Sequence, residues 1–464
     1  MTVRWIRSGT GFFFPDRTSP GGKIQAGKHE WNPGRNPDRT SHLGGRNKDD
    51  IVLKTLRKEK RNEQLTRFTT HMNKMVVGQP QAIDKLSDSF SRLIAGVHDP
   101  ERPLLTMMFM GPTGVGKTET VRALSDTIFG NKRAFTRVNC QEYSAHYNIS
   151  KLLGSPPGYV GGEIRPLLSQ ENIDRHHRKA LDNQSGMISE NDSKLSRLYP
   201  PDSEKYLSII LFDEIEKAHP KLWNLLLGIL EDGTVVLGNN EEVDFRQSII
   251  ILTTNVGSEA MGAHLAQNNI GFSSGINDTK MDRDVEEAAM REAKKVFPFE
   301  FLNRFDDIIT YHTLKETHLY SILDILIAQV HHRSLMCSEP FLLEITMEAK
   351  KCLVEAGTDI QYGARPLKRV VEKEIVTPIS HYICSDQIRK GDLITVDVTA
   401  DEFVFRKETG VTSWEELESL GPFPETQWAK EDLGVKDDGG EKKQMVEEIT
   451  QVLVNAGAFS GADE

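Results

Sequence analysis

The sequence predicts an α/β fold: a mostly parallel sheet with helices on both faces, followed by a smaller, mainly helical domain. Three observations carry that prediction. Short apolar runs alternate with helical segments between about residues 65 and 313. A Gly-x-x-x-x-Gly-Lys-Thr run, Gly111–Thr118, stands between one apolar run and one helical segment. Beyond about 313 the strands give way to helical periodicity, closed by one short strand pair.

In chain order, helices are expected over Leu65–Met75 and Pro80–Ala95, the second opened by a proline that suits a first helical turn. Leu105–Met110 is wholly apolar apart from Thr106 and reads as a buried strand; Lys117–Phe129 follows with helical spacing. Ala134–Asn139, Leu207–Phe212, Ile249–Thr254 and Asp307–His312 are the remaining strand candidates. Lys221–Leu230, Val285–Val296 and Lys315–Val330 are the intervening helices. Met347–Ala356 and Arg365–Cys384 are helical, and Leu393–Val398 with Glu402–Arg406 forms the closing pair. Residues 165–205 are polar and nearly aperiodic, with a short helix at His176–Leu181, and read as an insertion loop.

The chain has 464 residues, 38% hydrophobic and 27% charged, with a net charge of −11. This is the composition of a globular protein with polar tails, and no apolar run reaches the roughly 20 residues of a membrane-spanning helix. Residues 1–50 hold nine Lys/Arg against five Asp/Glu, with eight Gly and four Pro, and read as a disordered basic arm. Residues 408–464 hold four Lys against fourteen Asp/Glu and read as an acidic, largely disordered tail. Met445–Gly457 within it has the spacing of a short amphipathic helix. The expected organisation is thus an arm (1–50), a large α/β domain (51–313), a small helical domain (314–407) and a tail (408–464). Cys140, Cys337, Cys352 and Cys384 lack paired spacing, so reduced structural thiols in an intracellular, cytoplasmic protein are expected.

The run Gly111-Pro112-Thr113-Gly114-Val115-Gly116-Lys117-Thr118 specifies chemistry. Its glycines let backbone N–H groups curve around phosphate oxygens, Lys117 places a charge over the β/γ-phosphates, and the Thr118 hydroxyl suits Mg²⁺. The phosphates would rest on a helix N-terminus, with Glu119 in its first turn. A nucleoside triphosphate is the expected ligand. Leu207–Phe212 delivers Asp213 and Glu214 to a strand end, one suited to hold Mg²⁺ through water and the other to activate an attacking water. Asn255 ends another apolar strand, where an amide can position the same water or touch the γ-phosphate; alone, before Val256-Gly257, it reads more often as a turn residue. Arg304 and Arg365 are candidates for stabilising transition-state charge, which spacing alone does not distinguish from ordinary solvated arginines.

Seven motifs occur in order: the phosphate loop, Gly154-Ser-Pro-Pro-Gly-Tyr-Val-Gly161, Asp213-Glu-Ile-Glu-Lys-Ala-His-Pro220, Val243-Asp-Phe-Arg246, Thr254-Asn-Val-Gly-Ser258, Glu300-Phe-Leu-Asn-Arg304 and Gly363-Ala-Arg-Pro-Leu-Lys-Arg369. Together they resemble the second ATPase module of the Clp-type AAA+ unfoldases, the ClpB/ClpC/ClpA group, over roughly Val76 to Arg406. The resemblance implies an AAA+ domain with a helical lid that binds ATP and Mg²⁺. It implies Val76 and Val77 beside the adenine, Asn255 as the sensor-one residue and Arg365 as the sensor-two residue of the lid. Arg304 becomes a finger reaching a neighbour's ATP, which implies a homo-oligomer, a hexamer in this family. Tyr159 and Val160 become a pore loop gripping unfolded or aggregated polypeptide, and Gly233–Val243 a second loop.

The resemblance leaves choices open. Ile270-Gly271-Phe272 matches the tripeptide by which some relatives dock on a Clp peptidase, and a local hydrophobic contact explains it equally. No second module or folded N-domain is expected before Val76, and Pro298 stands one residue early. The readings are a threading unfoldase or disaggregase, the unfolding partner of a Clp peptidase, or an ATP-gated scaffold. The Gly-Tyr-Val-Gly loop argues against a nucleic-acid remodeller.

Overall fold

The structure is a computed structural model and describes residues 63–154, 165–258, 260–261, 278–358, 363–400 and 402–408. The basic arm, the loop with Tyr159 and Val160, Ile270–Phe272 and the acidic tail from 409 onward lie outside the described residues. Two helices, α1 (Glu63–Met75) and α2 (Pro80–Ala95), precede β1 (Leu105–Met110) and α3 (Lys117–Phe129). The remaining strands are β2 (Thr136–Asn139), β3 (Ser208–Asp213), a short hairpin β4 (Thr234–Val236) and β5 (Glu242–Asp244), β6 (Ser248–Thr254) and β7 (Asp307–Thr310). The sheet order is β2-β3-β6-β1-β7, every neighbouring pair parallel.

Alternation along these strands builds two cores. Met107 and Phe109, Ile209 and Leu211, and Ile249 and Ile251 face one side. There α1, α2 and α3 cover them with Phe68, Leu86, Phe90 and Leu124. Met108 and Met110, Ile210 and Phe212, and Ile250 and Leu252 face the other, beneath the helix Pro220–Asp232 and Phe297 and Phe301. Burial on both faces is why these strands read as continuous apolar runs. A fully buried side chain such as Phe109 contributes about 1.5–3 kcal/mol relative to exposure.

The expected strands and long helices are present with ends shifted by a few residues, and the sequence missed three features. Residues 165–205 are not a loop: the expected short helix His176–Leu181 lies within a longer one, Gln170–Asp182, and short helices Gly186–Ser189 and Lys194–Leu198 follow. Ile173, His177 and Ala180 are the helix's buried face, and Ile188, Leu195 and Tyr199 extend the core. His177 lies in the expected helical stretch and is buried as fully as its apolar neighbours. Its ring meets Phe129, Tyr199 and Tyr206, its Nδ1 accepts the Leu207 N–H at 2.6 Å, and burial pushes its pKa down to about 4. The hairpin β4–β5 was likewise not expected.

The third missed feature is a strand beyond 313. There β8 (Leu342–Ile345) runs parallel to β9 (Leu393–Thr399), which pairs antiparallel with β10 (Glu402–Glu408). This sheet packs on the helices Glu316–Leu335, Met347–Gly357 and Arg365–Val371 through Leu323, Leu343, Leu353, Leu367, Val371, Ile375 and Val396. The expected helix Arg365–Cys384 contains one wide π turn, Glu372–Val376, before Thr377–Cys384. Pro378 has no N–H to donate and its ring would crowd the carbonyl of residue 374 in a regular helix; the wide turn removes that conflict.

Candidate functional site

The predicted phosphate loop and both strand-end motifs lie along one edge of the sheet. Gly111 follows the C-terminal end of β1, Asp213 ends β3 with Glu214 next, and Asn255 follows β6. Because all these strands are parallel, their C-terminal ends share an edge, where doubly wound sheets place ligands. Gly111 has φ +147°, and a Cβ there would stand 2.6 Å from the Tyr311 carbonyl oxygen, so only glycine lets the loop start this close to β7.

Lys117 is buried and its ammonium donates to the carbonyls of Gly111 (2.5 Å) and Pro112 (2.7 Å) and to Asn255 Oδ1 (2.8 Å). Burial lowers its pKa to about 8; Glu216, Asp213 and Glu214 oppose the fall and Arg365 adds to it. Asn255 also donates from Nδ2 to Glu216 Oε1 at 3.3 Å, and its own N–H donates to the same oxygen. The other carboxylate oxygen, Glu216 Oε2, is buried without a hydrogen-bond partner among the described residues.

Asp213 Oδ1 accepts the Thr253 hydroxyl at 2.5 Å, and Oδ2 accepts Arg137 Nη2 at 2.5 Å and Nε at 3.1 Å. Thr253 Oγ1 in turn accepts the backbone N–H of Glu214 at 3.0 Å. Glu214 has φ +58° and ψ 54°, a left-handed conformation that costs a non-glycine residue on the order of 1 kcal/mol or more. No group among the described residues hydrogen-bonds its half-buried carboxylate. A strained carboxylate beside a buried lysine is an arrangement suited to orienting a water.

Val76 is buried, within 3.7 Å of where a Gly116 Cβ would stand, and Val77 is half-buried beside it. Gln79 ties this segment to the loop: its amide nitrogen donates to Val115 O and His312 O, and its oxygen accepts the His312 N–H. Thr113, Gly114 and Thr118 are half-buried, and Glu119 pairs with Arg122 at 3.1 Å. The small domain reaches the loop directly. The Ala364 N–H donates to Gly114 O at 3.2 Å, and Gly363, with φ +58°, passes so close that a Cβ would meet Gly114 O at 2.8 Å. Arg365 follows as an exposed residue at the start of its helix.

Arg304 is elsewhere. Its carbonyl accepts Arg102 Nη2 and the Thr106 hydroxyl, at the start of β1, and its guanidinium pairs with Glu231 at 2.8 Å and Glu300 at 3.7 Å. Thr106 and Gly111 are separated by about 16 Å of strand, so Arg304 and its own phosphate loop occupy opposite edges of the sheet.

Arg137, Thr253 and Glu216 belong to the site and were missed. Arg137 and Thr253 owe their roles to lateral strand register, which no spacing along the chain reveals; Glu216 lay in plain view, two residues after Glu214. Cys140 is a buried thiol with its pKa pushed up by burial, so it has no nucleophilic character.

The residues fit a nucleoside triphosphate with a divalent cation. At Gly111 the loop has no room for a side chain against Tyr311, the helix N-terminus is uncapped by any side chain at Gly116, and Glu216, which braces Asn255, keeps one buried carboxylate oxygen without a hydrogen-bond partner among the described residues. Asp213, though engaged by Thr253 and Arg137, keeps lone pairs for a metal-bound water. Among the described residues no helix is long and apolar enough to cross a membrane.

Comparison with known proteins follows the same division. Residues 102–180 and 184–308 match the family described as AAA domain (Cdc48 subfamily), and residues 314–396 the C-terminal, D2-small domain of ClpB protein. The negative regulator of genetic competence ClpC/MecB of Bacillus subtilis is 35% identical over 345 residues, 74% of this chain and 38% of that protein. The chaperone protein ClpB of Aquifex aeolicus is 34% identical over 351 residues, 75% of this chain and 31% of that protein. This chain therefore spans about a third of the length of these relatives. Among solved structures, the extended conformation of the S. cerevisiae Hsp104:casein complex superposes with a TM-score of 0.59 at 27% identity, covering 75% of this chain and 53% of that one. With its phosphate loop, strand-end acids and small domain in the order these matches require, the chain belongs to the Clp-type AAA+ ATPases.

Proposed function

We propose that this chain hydrolyses ATP at the interface between copies of itself and uses the cycle to pull polypeptides through a central pore, as an unfoldase or disaggregase. The observation that carries the reading is the separation of Arg304 from its own phosphate loop across the whole sheet. An arginine at the far edge serves a triphosphate only when it belongs to the next chain, so a closed ring, in this family a hexamer, supplies each site with its missing charge.

Within one site, Gly111–Thr118 wraps the phosphates, and Lys117 exchanges its bonds to Gly111 O and Pro112 O for phosphate oxygens. Thr118 and, through water, Asp213 would hold Mg²⁺, which neutralises charge on the β- and γ-phosphates. Glu214, held out by its left-handed backbone, takes the proton of the attacking water; Asn255, braced by Glu216, positions that water. Arg304 of the neighbouring copy and Arg365 of the lid stabilise the developing charge, and Val76 and Val77 flank the adenine. Tyr159 and Val160 supply the grip: a large amphipathic ring between glycines contacts any side chain. The casein-bound state of Hsp104 supports polypeptide as the substrate class.

The test is ATP-dependent loss of fluorescence from a tagged, folded fluorescent substrate. The wild-type chain should unfold it; Glu214→Gln should bind ATP and trap substrate without turnover, and Tyr159→Ala should hydrolyse ATP without unfolding. ATP hydrolysis that ignores substrate and Tyr159→Ala alike would favour a scaffold. Ile270–Phe272 supports a second partner, a Clp peptidase ring; co-purification lost in Phe272→Ala is the expected result, and no binding by either protein disposes of it.

A further inference from the structure

One groove of the small domain is lined by cations. Arg365, Lys368, Arg369 and Lys373 stand with Glu372 and Thr377 around an open cleft of about 600 Å³. The positions recur at three- and four-residue spacing, so they share a face, opposite the buried Leu367, Val371, Ile375 and Ile379. The acid in the groove is already engaged, since Glu372 accepts Arg333 at 2.9 Å. Lys373 pairs with Glu374 at 2.7 Å. Arg365, Lys368 and Arg369 are exposed and make no ion pair or hydrogen bond among the described residues. Exposed like charges on one face repel one another, and among the described residues no acid pairs with Arg365, Lys368 or Arg369.

The opposite charge is on the same chain. Residues 408–464 carry fourteen acidic residues against four lysines, with groups at Glu415-Glu416, Glu431-Asp432 and Asp437-Asp438. This segment continues from β10, which pairs with β9, and β9 shares its core with Leu367 and Val371 beneath the groove. Groove and segment therefore start from one body. From Glu408 the chain to Glu415 extends up to about 23 Å and to Glu431 up to about 75 Å, against a radius of gyration of about 12 Å for a domain this size.

We propose that the acidic segment 409–464 seats in the basic groove of its own small domain. Arg365 is the first residue of that groove and directly follows Ala364, whose N–H donates to Gly114 O of the phosphate loop at 3.2 Å. A triphosphate at the loop and the acidic segment in the groove thus compete for the same guanidinium. By linkage, nucleotide weakens seating of the segment and the seated segment weakens nucleotide binding by the same factor. The segment is then a built-in brake on the ATP site, independent of what the motor threads.

Zero-length carbodiimide cross-linking of the full chain, read by mass spectrometry, tests this. An equal mixture of ¹⁵N-labelled and unlabelled chains distinguishes a chain's own segment from another's. The expected result is that Lys368 and Lys373 join to carboxylates between 409 and 464 of the same chain at 50 mM salt. The yield should fall several-fold at 0.5 M salt, as screening requires, and with a non-hydrolysable ATP analogue. Arg369→Glu, which keeps both lysines and changes only an exposed residue, should lower the yield several-fold. Links only to carboxylates within 63–408, links only between labelled and unlabelled chains, or a yield indifferent to salt and to Arg369→Glu would each overturn the proposal.

Discussion

Thr253→Val removes one oxygen and asks whether the catalytic edge is held by lateral hydrogen bonds. Thr253 Oγ1 does two jobs: it donates to Asp213 Oδ1 at 2.5 Å and accepts the Glu214 N–H at 3.0 Å. Valine matches threonine in shape, so packing around β6 is preserved. The first bond involves a charged acceptor and is worth about 1.5–3 kcal/mol; the second, once lost, leaves a backbone donor without its partner at a further cost of about 1 kcal/mol or more. The two share an atom and do not add fully, so a loss of about 2–4 kcal/mol is expected. In a domain of this size that lowers the melting temperature by roughly 5–15 °C. Hydrolysis should fall by at least about tenfold, because freeing Asp213 and relaxing the Glu214 backbone displaces both acids, and about 1.4 kcal/mol of transition-state stabilisation is a factor of ten. Thr253→Ser, which keeps the hydroxyl, should stay close to wild type. Thermal melts and steady-state ATPase rates decide the matter; a valine variant that melts and turns over like the parent refutes the argument.

Arg304→Ala and Glu214→Gln should each reduce hydrolysis by at least about a hundredfold, yet an equal mixture should recover about a quarter of the parent rate, since one interface in four then unites an intact loop with an intact arginine. A mixture that stays inactive removes the in-trans assignment. Affinity for ATP, measured by equilibrium binding to Glu214→Gln, should weaken as pH rises through about 8, where Lys117 loses its proton; a flat profile to pH 9 contradicts the placement of the ammonium. Burial holds His177 and His331 at a pKa of about 4, below the unfolded value of 6.5. The stability they confer is complete above pH 6.5 and is lost as pH falls toward 4. For His177 alone the loss is about 3 kcal/mol, and melts at pH 7 and pH 4.5 should show at least that fall.

What the sequence made legible was whatever depends on position along the chain. The strand Leu105–Met110, the loop after it and the helix from Lys117 declare themselves by run length, glycine spacing and period, because both faces of the sheet are covered. Arg137 and Thr253 were hidden because each acts across the sheet: β2 sets Asn139 beside Asp213, and β6 sets Leu252 beside Phe212, which brings the next residue, Thr253, to the acids. Of the helix Gln170–Asp182 only His176–Leu181 was legible, because the buried face of its first half includes Asp174, which is polar in any hydropathy count. Strand β8, four residues long, has too few alternations to rise above its surroundings.

The contact of Ala364 with Gly114 makes the small domain a lever. Helix Glu316–Leu335 begins against the nucleotide domain, where a Gly78 Cβ would collide with His318, and it runs about 30 Å from that fulcrum. Gly363 and Ala364 meet the phosphate loop at Gly114. About that fulcrum a rotation of 10° sweeps the far end of the helix through about 5 Å. A rotation of that size would carry the far end of the helix through a displacement comparable to one residue of extended chain.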